Sequence, residues 1–277
     1  MAPGVFAIVV VSAALHASWN ALVKMAGDKL VATLAVASAA GLLAAIALPF
    51  CPAPAIASYP YIAASAAIHV AYYLLIARAY HLGDLGQTYP LMRGLAPLIV
   101  AVVGTAVFGE ALTTGAAIGV FLIGFGVLGT ALGGRREQVK GSLYAVINAG
   151  VIAAYTLIDG FGARVSGAPV AYGLWCFVLA GGALGFWLCL RRSESLAALG
   201  STGLWRPFLG GAATVLAYSL ILWAMTVASI PAVAALRETA ILFGAAISVL
   251  VLKENIRPIR MAAACVIAAG AVAIRIR

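Results

Sequence analysis

Residues 89–113 read YPLMRGLAPLIVAVVGTAVFGEALT, and residues 233–257 read VAALRETAILFGAAISVLVLKENIR. The two stretches superimpose at an offset of 144, so that Arg93 falls on Arg237 and the glutamates near their ends coincide. Each stretch is largely an apolar run of about 20 residues, the length of a helix that crosses a bilayer. The same apolar helix with an arginine near its start therefore occurs twice, which predicts a fold built from an internal repeat.

The whole chain has the composition of a membrane protein. Its 277 residues are 65% hydrophobic and 9% charged, with a mean hydropathy of +1.11, whereas soluble domains carry about 25% charged residues. The apolar residues fall into ten blocks of roughly membrane-spanning length. We therefore predict an all-α polytopic membrane protein with ten transmembrane helices. The predicted spans are residues 3–23, 30–50, 59–80, 85–108, 113–133, 141–162, 169–190, 207–228, 231–251 and 258–274.

The first and sixth spans carry matching polar stripes. At an offset of 136, five positions of the first span coincide with five of the sixth: Ser12, His16, Trp19, Asn20 and Val23 fall on Asn148, Ile152, Tyr155, Thr156 and Asp159. Their spacing of i, i+4, i+7, i+8 and i+11 places each set on one helical face. A membrane anchor has no need of such a stripe, so these faces are predicted to line a polar interior.

The repeat divides the chain into residues 1–136 and residues 137–277, with five spans in each half. Because five is an odd number, the second half must enter the membrane the opposite way round from the first. Two inverted halves that meet at a polar seam are typical of secondary transporters, whose substrate site lies near the middle of the membrane.

The basic residues predict the orientation. Of 17 lysines and arginines, twelve lie in or beside the connections after the odd-numbered spans and three lie on the other side, while Arg93 and Arg237 lie inside spans. Short cytoplasmic loops carry the excess of basic residues. Both termini are therefore predicted to face outside, in a multi-pass protein of the inner (plasma) membrane. The net charge of +9 reports this orientation, and no nucleic-acid partner is indicated.

Polar and aromatic side chains inside the spans are the candidate substrate-binding residues. An arginine at the centre of a span costs about 2.5 to 3.5 kcal/mol on insertion, so it normally faces the protein interior or a water-filled cavity. Arg93 has no acid within one turn of its own helix, whereas Glu238 directly follows Arg237, which makes a structural ion pair easier to arrange for Arg237. The candidates are His16, Trp19, Asn20, His69, Tyr72, Tyr73, Tyr89, Arg93, Asn148, Tyr155, Asp159 and Arg237.

Two further patterns predict structure more than chemistry. Small-residue spacings allow helices to approach closely, and the two repeated glutamates fall at membrane edges, where a boundary role is expected. The positions concerned are Gly115/Gly119, Gly129/Gly133, Gly181/Gly185, Glu110 and Glu254.

A family resemblance follows from these residues taken together. The stretch HASWNALVK (residues 16–24), the arginine early in the fourth and ninth spans, the glutamate at the end of each and the five-plus-five arrangement resemble the drug/metabolite transporter superfamily, in particular its EamA-type ten-helix members. The resemblance implies a transporter of small metabolites, often an exporter, with a central cavity lined by both halves.

The favoured function is a secondary transporter of a small amphiphilic metabolite. Arginine matches the geometry of a carboxylate and aromatic rings supply stacking, which favours export of amino acids, aromatic ones included. A sugar-phosphate or nucleotide-sugar exchanger is the alternative, and an intramembrane enzyme is a weaker one because no HExxH or GxSxG motif occurs. No cofactor or metal is expected, since the three histidines and four cysteines lack ligand spacing. The partners expected are the substrate and membrane lipids, and the oligomeric state expected is a monomer.

Overall fold

The computed structural model describes residues 1–26, 28–82, 85–133, 139–192, 203, 205–250, 253 and 258–276. Within these residues the structure consists of α-helices, short 3-10 turns and connections, without β-strands. The helices are α1 (Pro3–Lys24), α2 (Lys29–Ala47), α3 (Tyr59–Leu82), α4 (Leu85–Ala106), α5 (Thr114–Gly129), α6 (Val139–Ser166), α7 (Pro169–Arg191), α8 (Trp205–Val227), α9 (Ile230–Arg237), α10 (Ala240–Leu250) and α11 (Pro258–Arg275). The 3-10 turns are Leu48–Phe50, Ile56–Ser58 and Thr130–Gly133.

All ten predicted spans coincide with helices. Nine segments of the described chain are long and apolar enough to cross a membrane, and the sixteen residues of α5 form a shorter apolar helix. The prediction of an all-α polytopic membrane protein is confirmed. Two predicted spans differ in detail. The fifth ends as a 3-10 turn, Thr130–Gly133, and the ninth is broken into α9 and α10 at Glu238 and Thr239.

Local sequence explains several helix starts. Proline occupies the first turn of α1, α7 and α9, where its missing N–H has no partner to lose. The side chain of Asp28 accepts a hydrogen bond from the backbone N–H of Val31 (3.0 Å) at the start of α2. Thr113 caps α5 in the same way, through the N–H of Ala116 (3.2 Å).

The helices pack in exchanged pairs. Helix α3 packs against α6, and the equivalent contact with the halves exchanged is that of α8 with α1. Likewise α4 packs against α6, and the equivalent contact is that of α9 and α10 with α1. Helices α2 and α7, and likewise α5 and α11, which hold equivalent places in the two halves, pack directly on each other. This exchange of partners is what a two-fold relation between the halves predicts, while their opposite orientation in the membrane stays a prediction.

Glycines allow the directly paired helices to come close. A Cβ added at Gly119 of α5 would lie 2.5 Å from the carbonyl oxygen of Gly270 in α11, and one at Gly181 of α7 would lie 2.5 Å from that of Ala37 in α2. The close packing predicted for Gly115/Gly119 and Gly181/Gly185 is therefore confirmed. Gly129 makes only an ordinary contact, 3.9 Å from its Cβ position to the Cβ of Ala263.

One end of the bundle is closed. The largest apolar core joins the start of α1, most of α5, the middle of α6, the later parts of α4, α8 and α11, and the whole of α9. Beyond it, the carboxylate of Glu110 forms an ion pair with Arg164 and accepts the backbone N–H of Ile230 at 2.9 Å. Arg164 also donates to the carbonyl oxygens of Met225 (2.8 Å) and Ala228 (3.0 Å). These contacts give Glu110 a structural role, and its position at a membrane edge stays a prediction. The equivalent Glu254 lies outside the described residues.

Candidate functional site

Two buried arginines and one glutamate form the centre of the candidate site. Arg93 lies on α4 and is 5% exposed, while Arg237 ends α9 and is 6% exposed. Nε of Arg93 donates a hydrogen bond to Oε2 of Glu238 (2.8 Å), whereas Nε of Arg237 is 3.9 Å from Oε1 of the same carboxylate. Two positive charges thus share one negative charge, which leaves this cluster with an excess of one positive charge.

Arg93, which has no acid within one turn of its own helix, pairs with an acid from another part of the chain. The structure gives Arg93 the direct partner and leaves Arg237 at a longer distance, although Glu238 is adjacent to Arg237 in sequence. Within the described residues, Nη2 of Arg93 and Nε of Arg237 are nevertheless buried without a hydrogen-bond partner. Buried donors are normally paired, so this cluster retains capacity for one more acceptor group.

Helix α1 contributes His16 to this cluster. His16 interacts electrostatically with both Arg93 and Arg237. Trp19 donates its indole N–H to Nδ1 of His16 (3.3 Å), and Asn20 donates its side-chain N–H to the carbonyl oxygen of His16 (2.7 Å). Trp19 therefore orients the imidazole of His16, while Asn20 bonds to the backbone of its own helix.

Helices α3 and α6 supply an aromatic wall beside the arginines. Tyr72 and Tyr155 both interact electrostatically with Arg93, as does Tyr89 one turn before it. The ring of Tyr155 lies 4.4 Å from that of His69 and 5.9 Å from that of Tyr72, which in turn meets Tyr73 edge-on at 5.0 Å. These rings form a continuous surface on which an apolar body could stack.

Two further polar residues of α6 lie above and below Tyr155 on the helix. Asn148 donates to the sulfur of Met92 (3.1 Å), the residue before Arg93, and its side-chain oxygen has no partner among the described residues. Asp159 accepts hydrogen bonds from the phenols of Tyr172 (2.8 Å) and Tyr218. The polar stripe predicted on the sixth span thus lies inside the bundle, between α4 on one side and α7 and α8 on the other.

Comparisons with known proteins agree with this architecture. Residues 139–276 match the model of the EamA-like transporter family. The chain belongs to that family, which is part of the drug/metabolite transporter superfamily. A solved structure titled "Crystal structure of protein" is 18% identical, with a TM-score of 0.73 over 99% of this chain and 96% of that one, a likeness that supports the fold. A search of curated proteins finds no match. Members of the family are membrane transporters of small molecules and are not enzymes.

In this EamA-like transporter, a small cavity adjoins the aromatic wall. It has a volume of about 20 Å³ and is lined by His69 and Tyr73 of α3, by Cys176 and Phe177 of α7, and by Tyr218 of α8, among others. A cavity of roughly 10 to 15 Å³ holds one water molecule. This cavity therefore has room for water but not for a metabolite.

Sequence reasoning missed three contributors to the site. Glu238 is adjacent to Arg237 in the sequence, whereas its pairing with Arg93 joins residues 145 positions apart, which no local pattern reveals. Tyr172 lies in the apolar run VAYGLWC and carries no polar signal. Phe177 contacts Tyr218 edge-on at 5.6 Å, and only the folded arrangement of α7 and α8 brings the two rings together.

Proposed function

We propose that this protein is a secondary transporter that exports a small amphiphilic metabolite with one carboxylate, and that amino acids, aromatic ones included, are its best candidate substrates. Arg93 would receive the carboxylate, and the rings of Tyr72, Tyr155 and His69 would receive the apolar body. The observation that carries the proposal is the buried pair of arginines that share a single glutamate and keep unpaired N–H donors.

The charge of the cluster favours a carboxylate over a phosphate. One additional negative charge completes two ion pairs with two arginines, whereas a phosphate dianion would leave the cluster with an excess negative charge in a medium where unpaired charge is costly. The planar guanidinium also matches a carboxylate in its two-pronged geometry. A sugar phosphate or nucleotide sugar is therefore the less suitable substrate.

Transport would proceed by alternating access between two inverted halves. The exchanged packing of α1 with α8 and of α3 with α6 supports this arrangement. The closed end held by Glu110 and Arg164 would face outside, and the substrate would reach the arginines from the cytoplasmic end of the bundle. We infer from the loop charges that the protein resides in the inner (plasma) membrane with both termini outside.

Transport of a radiolabelled panel into reconstituted vesicles tests this proposal. The panel pairs phenylalanine, tyrosine and leucine with the amide of each, which lacks the carboxylate but keeps the side chain. We expect saturable flux of at least one amino acid and at least about tenfold slower flux of its amide, because a charge-assisted hydrogen bond contributes about 1.5 to 3 kcal/mol. Equal flux of acid and amide would remove the role of Arg93 in recognition.

Arg93→Lys is the informative variant at this position. Arg93→Ala would leave Glu238 without its direct partner, and breaking a buried ion pair costs about 3 to 5 kcal/mol of stability. A loss of transport in this variant would therefore not distinguish a folding defect from a loss of substrate binding. Lysine keeps the charge but loses the two-pronged donor geometry. We expect the half-saturating concentration of the carboxylate substrate to rise about tenfold, while Arg191→Lys, at an exposed position near the end of α7, transports like the wild type.

A further inference from the structure

Glu238 lies at the break in the ninth span. Helix α9 ends at Arg237 and α10 begins at Ala240. The N–H groups around the break bond to carbonyls only three residues back: Glu238 to Ala235 (2.9 Å), Thr239 to Leu236 (3.1 Å), Ile241 to Glu238 (3.0 Å) and Leu242 to Thr239 (2.9 Å). A tightened 3-10 stretch inside a helix often marks a hinge. The acid of the cluster is thus attached to the point where this span can bend.

Each carboxylate oxygen of Glu238 faces a different arginine. Oε2 is 2.8 Å from Nε of Arg93, and Oε1 is 3.9 Å from Nε of Arg237. The first distance is a hydrogen bond and the second is about an ångström too long for one. A small rotation of this side chain would therefore transfer its hydrogen bond from the arginine of α4 to the arginine of α9.

The two repeats differ at this position. The residue of the first repeat that corresponds to Glu238 is Gly94. A Cβ at Gly94 would lie 2.9 Å from the backbone nitrogen of Leu128 and 2.8 Å from its Cγ, so packing against this residue excludes a side chain. Among the described residues, the cluster consequently has two repeated arginines and one acid, which comes from the second half.

We propose that Glu238 is an internal substitute for the carboxylate of the substrate. In the empty transporter it neutralises Arg93. When a substrate carboxylate binds Arg93, Glu238 turns to Arg237, and both arginines keep a partner. Because Glu238 lies at the break, this change of partner bends the ninth span and couples occupancy to conformation. The proposal rests on the proposed function, in which Arg93 receives a carboxylate.

Glu238 then has a specific task in the transport cycle. After releasing its substrate, the transporter must pass back through a closed conformation in which Arg93 is buried. A buried charge without a partner opposes that step. Glu238 pairs with Arg93 in the empty transporter, which can therefore return without substrate and produce net transport. Without this acid, only the substrate-loaded carrier would cross the closed state readily, and the protein would exchange substrate for substrate.

Two flux measurements on Glu238→Gln in reconstituted vesicles test this inference, with the panel amino acid that the wild type carries fastest. Exchange is measured as entry of labelled amino acid into vesicles preloaded with the unlabelled form, and net efflux as its loss into substrate-free buffer. We expect the ratio of net efflux to exchange to be at least about tenfold lower than in the wild type, since a lost charge-assisted hydrogen bond corresponds to a factor of that size. An equal loss of both activities would overturn the inference.

Arg237→Gln gives an independent test with a variant that keeps the direct Arg93–Glu238 pair and is therefore expected to fold. It removes the second partner of Glu238. A substrate carboxylate that displaces Glu238 from Arg93 would then leave this acid without an arginine to pair with. We expect its half-saturating substrate concentration to rise about tenfold with unfolding temperature near that of the wild type, and Arg191→Gln serves as the control. Unchanged affinity in Arg237→Gln overturns the inference, and this variant decides alone if Glu238→Gln does not fold.

Failure of the inference and failure of the proposed function have different signatures. If the wild type moves no member of the panel, or moves acids and amides equally, the proposed function fails. If the wild type prefers the carboxylates but Glu238→Gln loses exchange together with net efflux, the function stands and only the role given to Glu238 is lost.

Discussion

Asp159 is a buried acid that the protein stabilises without a cation. It is fully buried inside α6 and forms no ion pair within the part of the chain that the structure describes. The phenol of Tyr172 donates a hydrogen bond to Oδ1 of Asp159, and the phenol of Tyr218 donates one to Oδ2. Hydrogen bonds to a charged group contribute about 1.5 to 3 kcal/mol each, so two of them offset much of the cost of removing one carboxylate from water.

Replacement of Tyr172 by phenylalanine should destabilise the protein. Tyr172→Phe keeps the buried ring and removes only the donor to Asp159, so we expect a loss of about 1.5 to 3 kcal/mol, measured as a lower midpoint of chemical unfolding in detergent. The control is Tyr59→Phe, since Tyr59 starts α3 and is 51% exposed. If both variants unfold at the same denaturant concentration, the phenol of Tyr172 does not stabilise the acid.

The sequence revealed which residues of the site carry charge, but not which ones meet. Arg93 and Arg237 stand out because the apolar runs around them make any charge conspicuous. The pairing of Arg93 with Glu238 depends on how α4 docks against α9, and residues so far apart in sequence carry no local signal of contact. Tyr172 is missed for a related reason, because an isolated tyrosine in an apolar run is compatible with lipid, core or site.

At the scale of the elements, helix contacts depend on a few glycine backbones. Gly41 of α2 and Gly181 of α7 face each other, and a Cβ at Gly181 would lie 3.0 Å from the Cα of Gly41 and 2.5 Å from the carbonyl oxygen of Ala37. Backbone atoms cannot move aside as a flexible side chain can. The glycine spacing predicts this close face. The break in the ninth span is not predicted, because the three polar residues Arg237, Glu238 and Thr239 lie inside an otherwise apolar stretch of spanning length.

The adjacent pair Gly181 and Gly182 provides a matched test of this contact. Gly181→Ala should separate α2 from α7 at a cost of about 1 to 3 kcal/mol. At Gly182 nothing lies within 4 Å of an added Cβ, and alanine is the better helix former by about 0.5 to 1 kcal/mol, so Gly182→Ala should be neutral or stabilising. Thermal unfolding in detergent compares the two, and equal midpoints would contradict this account of the helix contact.

The whole molecule is closed at the end where both termini lie. Met1 packs against the large apolar core, and a Cβ at Gly115 in the first turn of α5 would lie 2.8 Å from the carbonyl oxygen of Ile276. The ion pair between Glu110, in the connection after α4, and Arg164, in the last turn of α6, lies at this same end. The ten spans explain this common location, because an even number of crossings returns the chain to the side from which it started.

The orientation of that closed end is the last prediction. In the sequence, twelve basic residues lie in or beside the connections after the odd-numbered spans and three lie on the other side. Short cytoplasmic loops retain the basic residues, so the termini and the closed end should face outside. A fusion of alkaline phosphatase, which is active only outside the cytoplasm, to Ile276 should therefore be active, and a green fluorescent protein fused there should be dark. A bright fluorescent fusion together with an inactive phosphatase fusion would contradict this prediction and place the termini in the cytoplasm. The arginine cluster would then be closed on the cytoplasmic side in this conformation, and a substrate would reach it from outside.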